Sequence, residues 1–90
     1  MFNLLSNKKK IEEGSCYAVL GGDYIGEIFV FFKEKNKTLF FVSIPKMEIR
    51  EVSIDKFELG IDDGILDFVN VLPDDVYSVV ESHGKKILEA

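Results

Sequence analysis

Two neighbouring runs, IFVFF at residues 28–32 and TLFFVSI at residues 38–44, are β-prone and apolar at alternate positions of both phases. Successive side chains of a strand point to opposite faces, so Ile28, Val30 and Phe32 join Phe40, Val42 and Ile44 on one face. Phe29, Phe31, Leu39 and Phe41 then form the other. Water tolerates one such face of a sheet, not two. Any fold open to this chain must therefore cover both faces of an antiparallel pair, or leave one of them for another molecule. The available covers are a C-terminal helix bearing Val76, Val79 and Val80, the N-terminal MFNLL, or a partner. Phe29, Phe31, Leu39 and Phe41 are accordingly a candidate interaction face.

The chain has 90 residues, which bounds it to a single domain, 1–90, with one modest core and little room for an enclosed ligand pocket. Along it we expect an N-terminal segment, 1–13, that is mobile, a β-rich body, 14–72, and a C-terminal helix, 73–88. SCYAVL and YIGEIFVFF flank GGD and read as a hairpin, with Gly21 and Gly22 supplying positive φ and Gly26 a bulge or close backbone approach. KEKNK is a polar connector, and Pro45 stops the next strand. MEIREVS alternates as a half-exposed strand, with a bulge expected near Glu51 where Val52 leaves the pattern. IDKFELG is short enough to predict a single tight turn or a 3₁₀ piece, with Phe57 tucked inward. DDGILDFVNVLP carries both periodicities and is read as a last strand. From Pro73 onward, acidic residues in the first turn and late lysines mark a helix that ends or breaks near Gly84.

Four or five short strands and one helix predict a mainly β fold, a small SH3-like, partly open antiparallel barrel with a C-terminal helix. An α+β antiparallel sheet packed on one helix is the neighbouring solution. The spacing of YxGE, SIPxM, KFExG and LPxxVY across residues 24–77 resembles small uncharacterised proteins of marine phages and cyanobacteria. That resemblance implies no activity and no site.

The glycine-rich stretch is not a phosphate cradle. Gly21 and Gly26 have the spacing of a P-loop, but Glu27 and Ile28 stand where Lys and Ser or Thr are required, and Asp23 breaks the dinucleotide fingerprint. Cys16 is the sole cysteine, which excludes an internal disulfide and a multi-cysteine zinc site. Cys16 and His83 are the one thiol–imidazole combination, without an orienting third group, and they read as a core residue and a helix-end residue. DDGILD lacks the alternating oxygen ligands of a calcium loop. The expectation is a protein with no catalytic residues, no metal and no cofactor, and so not an enzyme.

A net charge of −5, with ten lysines and Arg50 alone, argues against nucleic acid as a partner. No secretory signal and no apolar run long enough to span a bilayer is present, so the reading is a cytoplasmic chain without a membrane partner. The three lysines of NKKK fall short of a lipid-binding cluster. Between residues 55 and 75, Asp55, Glu58, Asp62, Asp63, Asp67, Asp74 and Asp75 face Lys56 alone. Asp62, Asp63, Asp67, Asp74 and Asp75 make up a candidate acidic patch for a basic partner. The leading expectation is a small non-catalytic protein–protein interaction module, acting through the apolar sheet face, the acidic patch or both, on a protein partner or a second copy of itself. The alternative is an SH3- or KOW-like barrel associated with RNA in translation or transcription, stacking bases on Tyr17, Tyr24 and the phenylalanine-rich strands, with Lys8, Lys9, Lys10, Lys33, Lys35 and Lys37 supplying charge.

Overall fold

The structure, a computed structural model, describes residues 11–89. MFNLL and NKKK, and most of the segment expected to be mobile, lie outside the described residues. The elements are β1 (Ser15–Val19), β2 (Ile28–Lys35), β3 (Thr38–Ile44), β4 (Glu48–Ser53), α1 (Ile54–Asp62), β5 (Leu66–Val71) and α2 (Asp74–Glu89). The five strands form one open antiparallel sheet in the order β4-β3-β2-β1-β5, with the C-terminal helix against it. The expected mainly β fold with a C-terminal helix is what the chain adopts. The arrangement is compatible with a partly open barrel and with an α+β sheet.

The two apolar faces separate as the alternation requires. One core holds Tyr17, Val19, Phe29, Phe31, Leu39 and Phe41 with Phe57 and Leu66. The other holds Cys16, Val30, Phe32 and Val42 with Val80, and Ile28, Phe40 and Ile44 pack at its margin. β2 and β3 pair through a two-residue turn in which Asn36 and Lys37 both have positive φ, 51° and 63°, the pattern of a type I′ hairpin.

The first core is closed by α1, where the sequence predicts only a tight turn. Ser53 supplies the difference: its side chain accepts from the Lys56 amide at 3.2 Å, and Asp55 sits in the first turn, so nine residues hold a helix. That helix presses Phe57 edge-on to Tyr17, centroids 5.1 Å apart, and stacked on Phe41 at 5.8 Å. Phe29, Phe31, Leu39 and Phe41 are consequently buried, none more than 5% exposed. As a surface, the expected interaction face is corrected: it is core.

The second core is closed by α2, which runs unbroken through Gly84. Gly84 is buried against Phe32 and Val42, and a Cβ there would stand 2.8 Å from Phe32 Cζ and 2.9 Å from Val42 Cγ2. Glycine at this position is a point of close approach and not a helix end. The buried stripe is turned by about one residue from the valine stripe expected. Tyr77, Val80, Gly84 and Leu88 face the sheet, whereas Val76 and Val79 are exposed. His83 Nε2 donates to the Met47 carbonyl at 2.8 Å, and the Tyr77 hydroxyl donates to Glu13 at 3.3 Å, fastening the helix at its first turn and its middle.

Two irregularities also lie elsewhere than expected. β3 and β4 pair without interruption from Thr38↔Ser53 to Ser43↔Glu48, so there is no bulge at Glu51. Register shifts occur between Phe31 and Lys33 and between Cys16 and Tyr17. The hairpin turn is longer than GGD, because β2 starts at Ile28 and residues 20–27 form a loop closed by Gly26 N–H to the Val19 carbonyl at 2.9 Å. Within it Gly22 has φ +84° while Gly21 is not in the left-handed region.

Candidate functional site

The loop at residues 20–27 folds over one end of the sheet and is tied to the turn before β5 by the Leu20 amide, which donates to the Ile65 carbonyl at 2.7 Å. Between this loop, α1 and that turn lies a cleft of about 280 Å³. Its floor is Val19, Phe29 and Leu66, its walls are Tyr24, Leu59 and Ile65, and Asp23, Asp63 and Lys56 stand at its lip. The wall residues Leu59, Tyr24 and Ile65 are 60%, 45% and 39% exposed. The volume is at the lower end of ligand sites, so the cleft suits one or two inserted apolar side chains better than a cofactor.

The Tyr24 wall is held by the one arginine of the chain. The Arg50 guanidinium lies 4.1 Å from the centre of the Tyr24 ring and grips Glu27 from behind through Nε at 3.2 Å and Nη2 at 3.3 Å. Glu27 is 6% exposed, and its carboxylate also accepts from the Ser43 hydroxyl and pairs with Lys46 at 3.4 Å. The Ser43 hydrogen bond, followed by those from Arg50, holds the Glu27 carboxyl below its ordinary pKa. Among the described residues this is the buried charged constellation, and no buried side-chain nitrogen or oxygen in it lacks a hydrogen-bond partner. It braces the loop to β3 and β4. Sequence reasoning did not find it, although a lone arginine among ten lysines is the available signal.

The acidic residues do not gather into one patch. Asp62 and Asp63 lie at the end of α1, Asp67 in β5, and Asp74 and Asp75 in the first turn of α2, where Asp75 accepts from the Val76 amide at 3.0 Å. They bracket β5, a strand of about 20 Å at ~3.3 Å per residue, instead of clustering. A second, polar depression of about 580 Å³ lies at the start of α1, lined by Glu34, Lys37, Ser53, Ile54, Asp55 and Glu58.

Cys16 and His83 are engaged separately. The Cys16 thiol is buried, contacts the Gly14 carbonyl at 3.5 Å, and is pushed up in pKa by burial, while His83 is bonded to Met47. Among the described residues no three His, Cys, Asp or Glu side chains are grouped to hold a metal ion, and no described helix is long and apolar enough to cross a membrane. No protein-family model, curated protein or solved structure matches the chain.

Proposed function

We propose that this chain is a small non-catalytic protein–protein interaction module whose contact surface is the apolar cleft between the loop at residues 20–27, α1 and the start of β5. The observation that carries the reading is the exposure of Leu59, Tyr24 and Ile65 in the walls of a preformed cleft, in a domain too small to leave such side chains in water at no cost. Charged groups at the lip, Asp23 and Asp63 beside Lys56, supply a polar rim around an apolar centre, the usual anatomy of an interface. The Glu27–Arg50–Tyr24 brace keeps one wall in place, which lowers the ordering cost of binding.

The RNA-associated alternative draws less support. Of the rings it requires for base stacking, Tyr17, Phe29, Phe31, Phe32 and Phe41 are buried and Phe40 partly so, while the half-exposed Tyr24 carries Arg50 on its ring, itself committed to Glu27 and Glu48. The test uses a photoreactive residue placed at position 59 and, as a control, at exposed position 82, with the chain expressed in its source cell. A discrete cross-linked protein from position 59 that is absent from position 82, and lost with Ile65→Lys in the cleft wall, is expected. Equal, diffuse labelling at both positions would end the proposal.

A further inference from the structure

We infer that β5 is a docking edge for an extended, basic segment of a partner protein, which adds to the sheet as a sixth strand. The inference deepens the interaction-module reading and rests on it.

The two edges of the sheet are treated differently by the sequence. β4, at one edge, reads EIREVS, and its Glu48 and Arg50 are ion-paired to each other, a charged edge of the kind that discourages strand addition. β5, at the other edge, reads LDFVNV and has Asp67 as its one charge. Leu66 is buried, but Phe68, Val69 and Val71 are 52%, 53% and 43% exposed. Among the described residues β5 pairs only with β1, so the backbone groups on its outer side have no strand opposite them. The register shift opposite Val69 bends the strand without supplying those partners. An apolar strand edge with open backbone groups is a template for strand addition, in which the main chain gives affinity and alternate side chains give selectivity.

Charge chooses the occupant. Asp62 and Asp63 precede the strand, Asp67 lies within it, and Asp74 and Asp75 follow it. A second copy pairing by two-fold symmetry runs antiparallel about the middle of β5, which sets the Asp62 and Asp63 end of one molecule against the Asp74 and Asp75 end of the other. That arrangement is repulsive on chains already at −5. A segment with an apolar, β-branched centre and Lys or Arg at both ends meets the opposite sign at each end. Ile65 and Leu66 line the cleft, so such a strand reaches it at one end of β5.

The probe is a synthetic peptide with a Val/Thr core the length of β5 and lysines at both ends. Its controls are the same core with glutamate ends, and the lysine-ended peptide with proline at its centre. Binding is followed by amide NMR shifts and hydrogen exchange on the parent chain, Val69→Lys and Leu59→Lys, both substitutions being at exposed positions and their folding checked by melting. The expected result is shift and protection along β5, at least about tenfold weaker binding for Val69→Lys and for both control peptides, and further weakening as salt rises, with Leu59→Lys affecting it little. Shifts confined to the cleft, lost in Leu59→Lys and kept in Val69→Lys, would overturn the edge proposal and leave the module reading standing. A parent dimer at tens of micromolar that Val69→Lys dissolves would replace the basic partner by a second copy and so refute the choice of occupant. Absence of binding by any of the peptides would also refute it, while cross-linking from position 59 judges the module reading independently.

Discussion

Gly84→Ala sets two known effects against each other at one atom. In the interior of an exposed helix the change adds about 1 kcal/mol of stability, because alanine loses less backbone freedom than glycine on folding. At position 84 the new methyl would lie 2.8 and 2.9 Å from Phe32 ring carbons and 2.9 Å from Val42 Cγ2. Neither neighbour is free to give way: Phe32 is 2% exposed and Val42 0%, both inside the core between α2 and the sheet. Overpacking of this kind costs about 1–3 kcal/mol, and two ring carbons and a methyl inside 3 Å put it at the upper end, so the clash wins and we expect a net loss of roughly 1–2 kcal/mol. Gly60→Ala in α1 is the internal control. There the added carbon would lie 3.0 Å from Leu66 Cδ1 and 3.2 Å from its Cγ, longer contacts with a single aliphatic side chain that borders the cleft, and the same propensity gain applies. Gly60→Ala should be neutral to slightly stabilising. Urea denaturation of the two variants and the parent at equal m-values measures both. If Gly84→Ala equals or exceeds the parent in stability, α2 does not approach β2 and β3 as closely as described.

Val80→Asp, at a position 6% exposed, buries an unpaired carboxylate and should unfold or undock α2, whereas Val79→Asp, 67% exposed, should melt with the parent; circular dichroism and light scattering read the difference. Gly22→Val forces a β-branched residue to φ +84° and should cost about 1 kcal/mol or more although nothing lies within 4 Å of the added atom; coincident melts would show that strain is absent. Glu27 has a depressed pKa in the fold, so its contribution is complete above the unfolded carboxylate value of ~4.3 and is lost as pH falls through the lower folded value. Glu27→Gln should therefore be less stable at neutral pH and show a flatter decline below about pH 5 in stepped denaturant titrations; parallel curves would remove the brace from the argument. Native-state hydrogen exchange should find β5 amides opening before those of β2 and β3, since only one side of β5 is paired; the reverse order would contradict the sheet order.

The strands and their facing sets were readable because period-two alternation is a local property, and residues 28–32 and 38–44 state it without ambiguity. What covers each set was not local. The valines at 76, 79 and 80 suggest a stripe by spacing alone, but α2 turns its Tyr77, Val80 and Gly84 side inward because only glycine lets the helix backbone reach Phe32 and Val42. α1 was missed for a related reason. Nine residues with two exposed apolar side chains, Leu59 and Ile61, give a blurred periodicity, and the decisive signal was the single cap at Ser53. The Glu27–Arg50 pair spans a sequence distance that no spacing rule covers, so the cleft wall it holds was invisible too.

The placement of the two helices also accounts for where the open surface lies. β2 and β3 hold most of the phenylalanines, and both faces of that pair are closed, one by Phe57 of α1 and the other by Val80 and Gly84 of α2. A chain of 90 residues has no third element left among those described, so β5 at the edge and the end of the sheet beneath the loop at residues 20–27 receive the least cover. Aspartates stand at either end of β5, and on the docking proposal their like charges oppose pairing of this edge with a copy of itself. On the same proposal these charges favour a strand of opposite charge pattern, so one arrangement of residues both discourages self-pairing and selects the partner.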